Sequence, residues 1–198
     1  MWITYYIIIL TAAITWYAWN VNPKAQQLGM LRPYLVFKED RWYQLLSSGF
    51  LHANLTHLLF NMITLFFFGP VVERSVGPGY FLGLYAAGLL LANIPSLFRH
   101  RDNPNFGSLG ASGAVGAVLF AFIYFFPMEP IYIFFIPIGI PAVVFGAVFI
   151  GYSFWGQHRA SDHINHEAHI AGAVTGLLYV MIVVPRGIDH LLTLLGII

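Results

Sequence analysis

The sequence contains no cysteine, which excludes disulfides, thiol nucleophiles and thiolate metal sites. Charge is nearly as scarce: Asp, Glu, Lys and Arg make up 9% of the 198 residues, and the net charge is +1 with histidines neutral. So small a charge gives no electrostatic footprint for nucleic acid. No Lys or Arg precedes the first apolar run and no small-residue cleavage site follows it, so that run reads as a transmembrane helix and not as a secretory signal. A GK[ST] triplet is also missing, which removes a phosphate loop from consideration despite a glycine-rich stretch at Phe106 to Gly116.

What the chain has in abundance is apolar surface. Hydrophobic residues account for 59% and the mean hydropathy is +0.74, far from the soluble average and diagnostic of a membrane protein. Since about 20 helical residues cross the hydrocarbon, six segments are expected to span it: Met1 to Asn20, Asn54 to Arg74, Tyr80 to Phe98, Leu109 to Phe126, Ile131 to Trp155 and Glu167 to Val184. The expected fold is an all-α membrane protein, a six-transmembrane-helix bundle forming one domain over residues 1–198.

The connection from Val21 to Ala53 is too rich in apolar residues for a solvated linker and is expected to fold at the membrane interface, where Trp42 and Tyr43 suit the headgroup level. Gly77, Pro78 and Gly79 mark a tight turn. With six spans, Arg74 and Arg186 lie on the side of the termini and the other seven Lys and Arg on the opposite side. Taken literally, that count puts the termini outside.

Polar side chains inside membrane segments are costly and so point to function. His57 and Asn61 of HANLTHLLFN stand four apart on one helix face, with His52 just upstream. They read either as interhelical hydrogen-bonding glue or as donors to a reacting group. Ser112 of LGASGAVG falls in the first turn of its segment, where free N–H groups and the positive dipole end favour a developing anion. Gly110, Gly113, Gly116 and Ala117 equally make a small-residue packing surface. In HEAHIAGAVTG, Ala168, Gly172 and Gly176 form a four-residue stripe for close helix approach, and His169 sits beside it. If the stripe meets the glycine-rich helix, His169 comes within reach of Ser112, the minimum for nucleophilic catalysis. Asp162, His163, His166, Glu167 and His169 raise a zinc reading, but HEAH is one residue short of HExxH, and no metal or other cofactor is called for.

Together these clusters resemble the rhomboid family of intramembrane serine proteases, in its bacterial-type, minimal six-helix form. The likeness runs from Trp42–Asn54 through HLLFN, GPVVER (Gly69 to Arg74), GASG and AHIAG. It implies cleavage of transmembrane substrate proteins by a Ser–His dyad without an acidic third member. On this likeness Ser112 matches the nucleophile and His169 the general base, while His57 and Asn61 join the Ser112 N–H at the oxyanion site. His52, Gly110 and Gly116 are adjacent to that site, and Glu73 with Arg74 matches a pair that braces the first loop. The implied setting is multi-pass in the cell membrane, a bacterial or archaeal cytoplasmic membrane with cytoplasmic termini, against the Lys/Arg count. The partners are transmembrane substrates and the lipid bilayer; nothing in the sequence speaks to oligomeric state.

Two departures stand out. Many relatives carry an aromatic residue four positions after the nucleophile, stacked on the base, where this chain has Gly116; and the common first-loop Trp–Arg pair reads Trp42, Tyr43, with Arg41 as a substitute. The sequence opens directly on its first apolar segment, so the soluble N-terminal domain of some relatives is not expected. Water is expected to enter near His52, His57 and Asn61. Pro137, Gly139, Pro141, Gly146 and Gly151 make the fifth segment a candidate pliable gate. The competing readings are a non-catalytic member of the same fold that binds membrane proteins, and a small membrane transporter using the His and Asn cluster.

Overall fold

The computed structural model describes residues 2–132, 137–157, 165–194 and 196–197, and these are mostly helical. Helix α1 (Ile3–Asn20) leads into α2 (Pro23–Gly29), α3 (Pro33–Glu39), α4 (Gln44–Ser47) and a 3-10 turn at Ser48–Phe50. Then come α5 (Leu55–Val76), α6 (Pro78–Leu91) and α7 (Ile94–Arg99). After a loop, α8 (Ser112–Phe125) is followed by two antiparallel strands of two residues each, β1 (Pro130–Ile131) and β2 (Ile140–Pro141), then α9 (Ala142–Gly156), α10 (His166–Ile182) and α11 (Gly187–Leu194).

Two helical stretches, Leu55–Val76 and Pro78–Arg99, are long and apolar enough to cross a bilayer, and α10 with α11 passes the same test as a pair bent by 95°. Helices α8 and α9 are apolar but shorter. The bundle is built for lipid. On α1 the buried residues are Thr4, Ile7, Thr11, Thr15 and Ala18, whereas Ile9, Leu10 and Trp16 are exposed. Without water there is no gain in hiding Leu or Ile from lipid, so small and hydroxyl side chains take the helix–helix face.

Helix α8 is apolar all round and its residues from Gly113 to Tyr124 are all buried, as expected of a central helix. It packs on α5, α6, α9 and, most extensively, α10. Whatever its first residue does is therefore done in the middle of the bundle.

The segment after the first helix folds back on itself in short helices. The fully buried Gln44 holds it, accepting from the Arg32 N–H at 3.0 Å and donating to the Leu28 carbonyl at 2.9 Å. Arg41 pairs with Glu39 at 2.5 Å on the surface, so it does not take over a buried contact.

Two expectations are corrected. The fifth segment was expected to be helical from Ile131, but its helix begins only at Ala142. Pro141 stands at the N-cap and, with Pro137 and Gly139, lies ahead of the helix, so these residues end a hairpin instead of kinking a span; only Gly146 and Gly151 lie inside α9. The brace expected from Glu73 and Arg74 does not act on the first loop. The buried Glu73 carboxylate accepts from the Ile3 N–H at 2.8 Å, the Thr4 N–H at 3.0 Å and the Thr4 hydroxyl at 2.7 Å. Arg74 lies over the Trp2 ring, 5.3 Å from its centroid. Glu73 thus caps α1, where free N–H groups and the helix dipole favour an anion.

Candidate active site

The approach to Ser112 is held at successive points by the first loop. Ser108 and Leu31 exchange backbone hydrogen bonds of 3.0 Å, Gly110 donates to the Ser48 carbonyl at 3.0 Å, and Ala111 donates to Nε2 of His52 at 3.4 Å. Gly110 has φ +121°, open to glycine but not to other residues. A side chain there would also strike the His57 ring, whose Nε2 is 2.6 Å from where a Cβ would stand. The glycine therefore permits both the turn into α8 and the close approach of His57.

His57 and Asn61 lie on α5 as the spacing predicted. Asn54 caps that helix by accepting from the His57 N–H at 2.9 Å. Asn61 is buried, and its amide nitrogen donates to the His57 carbonyl at 3.2 Å. Its second N–H is left over from that bond. The His52 and His57 rings meet edge to face at 5.0 Å. Burial, with a smaller contribution from His57, pushes the His52 pKa down to about 3.

Helix α10 meets α8 backbone to backbone. A methyl at Gly172 would run into the Gly113 carbonyl, and one at Gly176 into the Ala117 carbonyl. A methyl at Gly113 would stand 3.6 Å from the Ala168 carbonyl. The turn that opens with Ser112 is therefore packed against the turn that carries His169. A cavity of about 10 Å³ lies beside Ser112, lined among others by Asn93, Ser108, Gly110 and Ala168, about the space of one water. His52, His57 and Asn61 do not line it. A larger cavity of about 570 Å³ sits at the α5–α6 turn between Gly77, Tyr80 and Tyr179; it is remote in the fold from these side chains.

Asn165 escaped the sequence reading. Its side-chain oxygen caps α10 through the Ala168 N–H at 3.1 Å and accepts from the Ser96 hydroxyl at 3.0 Å, while its amide donates to the Ser108 hydroxyl at 3.1 Å. One side chain thus joins α7, the loop before Ser112 and the helix bearing His169. Its signal was present, an Asn directly ahead of an apolar helical run. Phe149 of α9 was also missed; its ring lies on His169 with centroids 5.6 Å apart and planes inclined by 30°. No local pattern marks that contact.

The described members of the acidic and histidine-rich cluster, His166, Glu167 and His169, lie on the first turn of α10, with the His166 and His169 rings 6.0 Å apart. Glu167 pairs with Arg99, and His166 packs edge to face on Tyr152 at 5.5 Å. Asp162 and His163 lie outside the described residues. Among the described residues no three His, Asp or Glu side chains are grouped to hold a metal ion.

Residues 39–186 match the Rhomboid domain family. Among curated proteins, the chain is 34% identical over 158 residues to RHOMBOID-like protein 12, mitochondrial, of Arabidopsis thaliana, covering 72% of this chain and 46% of that one. It is 33% identical over 138 residues to Rhomboid protease GluP of Bacillus subtilis, covering 70% and 25%. It is 28% identical over 158 residues to Rhomboid protein 1, mitochondrial, of Saccharomyces cerevisiae, covering 75% and 45%. The matched part is thus less than half of each relative's length. These relatives divide between a bacterium and mitochondria, so the expected bacterial or archaeal cytoplasmic membrane is not supported, whereas a membrane setting is. On the Rhomboid domain match across most of its length and these identities, the chain belongs to the rhomboid family.

Proposed function

We propose that the protein is an intramembrane serine endopeptidase acting on transmembrane substrate proteins. Ser112 Oγ attacks the scissile carbonyl while His169 takes its proton and then delivers it to the leaving amine. His57, Asn61 and the Ser112 N–H receive the oxyanion, and water hydrolyses the acyl-enzyme. The family matched over residues 39–186 supports this reading. The observation that carries it is the backbone contact of Gly113 with Gly172, which sets the turn of Ser112 against that of His169 while the His57 ring stands over Gly110.

In this reading residues 1–198 form a single domain of six spans with the first loop at the membrane interface and both termini cytoplasmic. Its partners are substrate helices and lipid. The deciding experiment treats membranes holding wild type, Ser112→Ala or His169→Ala with a serine-directed fluorophosphonate probe and, in parallel, with a reporter transmembrane substrate. Labelling and cleavage by the wild type alone are the expected result. Cleavage that persists in Ser112→Ala would end the assignment.

A further inference from the structure

The sequence has Gly116 where many relatives stack an aromatic ring on the base, and the fold places another ring against it. The Phe149 and His169 rings lie 5.6 Å apart and 30° from parallel, an offset stack. At the neighbouring position Tyr152 meets His166 edge to face at 5.5 Å and 73°. Phe149 and Tyr152 are three apart on α9, and His166 and His169 three apart on α10, so each pair shares a helix face. The two contacts are thus one antiparallel register, and Gly156 keeps it open by leaving the space that the His166 ring fills.

Phe149 is itself held from α8. Its ring packs on Phe120 with centroids 5.9 Å apart. Gly146, one position short of a turn earlier, lets α9 settle there, since a methyl at that site would come 2.9 Å from Ile123 and 3.4 Å from Phe120. The ring facing His169 is therefore fixed against the helix that begins with Ser112.

We infer that Phe149 is the positioning residue for His169, in place of the aromatic absent at position 116; the inference rests on the function proposed above. A flat apolar ring against the imidazole restricts its rotation and covers one of its faces, which keeps a ring nitrogen aimed. Because this ring comes from α9, it braces the base while α9 is packed on α8 and α10. A displacement of α9 removes the brace with it.

The test uses the full chain in proteoliposomes with a reporter transmembrane substrate. Phe149→Ala is expected to lower kcat by about 3- to 10-fold, the range of one aromatic pair, to leave KM within about twofold, and to slow fluorophosphonate labelling in proportion. Phe149→Tyr should retain wild-type rates, whereas Phe149→Leu, which keeps an apolar filling, should not. Wild-type kcat in Phe149→Ala, or in Phe149→Leu, overturns the inference. Cleavage surviving in Ser112→Ala or His169→Ala overturns the parent reading and the inference with it, so the two failures are told apart in one assay.

Discussion

Ala111 donates its N–H to Nε2 of His52, and this bond sets the protonation state of the imidazole. The Thr15 hydroxyl spends its only hydrogen on the Phe50 carbonyl at 2.9 Å, so in its 3.1 Å contact with His52 it is the acceptor and Nδ1 carries the proton. Nε2 must then be bare to accept from Ala111. A neutral His52 completes the chain Ala111, His52, Thr15, Phe50; a doubly protonated one breaks it at the residue before Ser112.

A pH dependence of stability follows from this. The folded-state pKa of about 3 lies below the ordinary value of 6.5, with burial the main cause and His57 the lesser. The unfolded chain therefore binds a proton that the folded chain refuses, and stability falls as pH drops from 6.5 toward 3. Thermal unfolding in detergent should show a midpoint that declines through this window, with a shallower decline in His52→Gln. An unchanged slope in that variant would remove His52 from the account.

The helix contact between α8 and α10 predicts unequal fates for two glycines. Gly172→Ala pushes a methyl into the Gly113 carbonyl, a backbone atom that cannot step aside, and should cost about 1–3 kcal/mol together with most proteolytic activity. Gly116→Ala meets nothing closer than 3.8 Å and should be stable and active. Denaturant titrations and substrate cleavage on both variants check the pair.

Glu73 offers a test far from the proposed chemistry. Glu73→Ala takes the acceptor from the Ile3 and Thr4 N–H groups and the Thr4 hydroxyl and should destabilise the fold by about 1.5–3 kcal/mol, the range of bonds to a charged group. Glu73→Gln should fall between, because it keeps one oxygen but turns an amide NH₂ toward donors. At temperatures where the variants remain folded, cleavage rates should match the wild type.

Asn61→Ala separates an oxyanion donor from a structural one. Loss of such a donor costs about 10²-fold or more in rate, whereas the 3.2 Å bond from Asn61 to the His57 carbonyl is internal to α5 and contributes little to folding. A large fall in kcat with a nearly unchanged unfolding midpoint is expected. Equal losses in both would make Asn61 a packing residue.

Local patterns made much of this readable in advance. The spacing of His57 and Asn61, the Ala168, Gly172 and Gly176 stripe and the position of Ser112 at a helix start are consequences of 3.6-residue periodicity, which a sequence carries explicitly. The helix starting at Ala142 instead of Ile131 shows where hydropathy misleads: the run is apolar throughout, and Pro137, Gly139 and Pro141, which lie ahead of the helix, weigh little in a hydropathy sum. Asn165 had a readable capping role, but its bonds to Ser96 and Ser108 join positions 69 and 57 residues away.

The sequence by itself determined that the chain is a helical membrane protein, which segments are apolar and which few polar side chains they carry, because those properties reside in each segment separately. Only the tertiary structure decided that Glu73 caps α1, that His52 accepts from Ala111 and that Phe149 lies on His169. Each of these pairs residues from different elements through the register and depth at which helices cross. That register is set by backbone contacts such as Gly113 with Gly172, and it cannot be read from either helix alone.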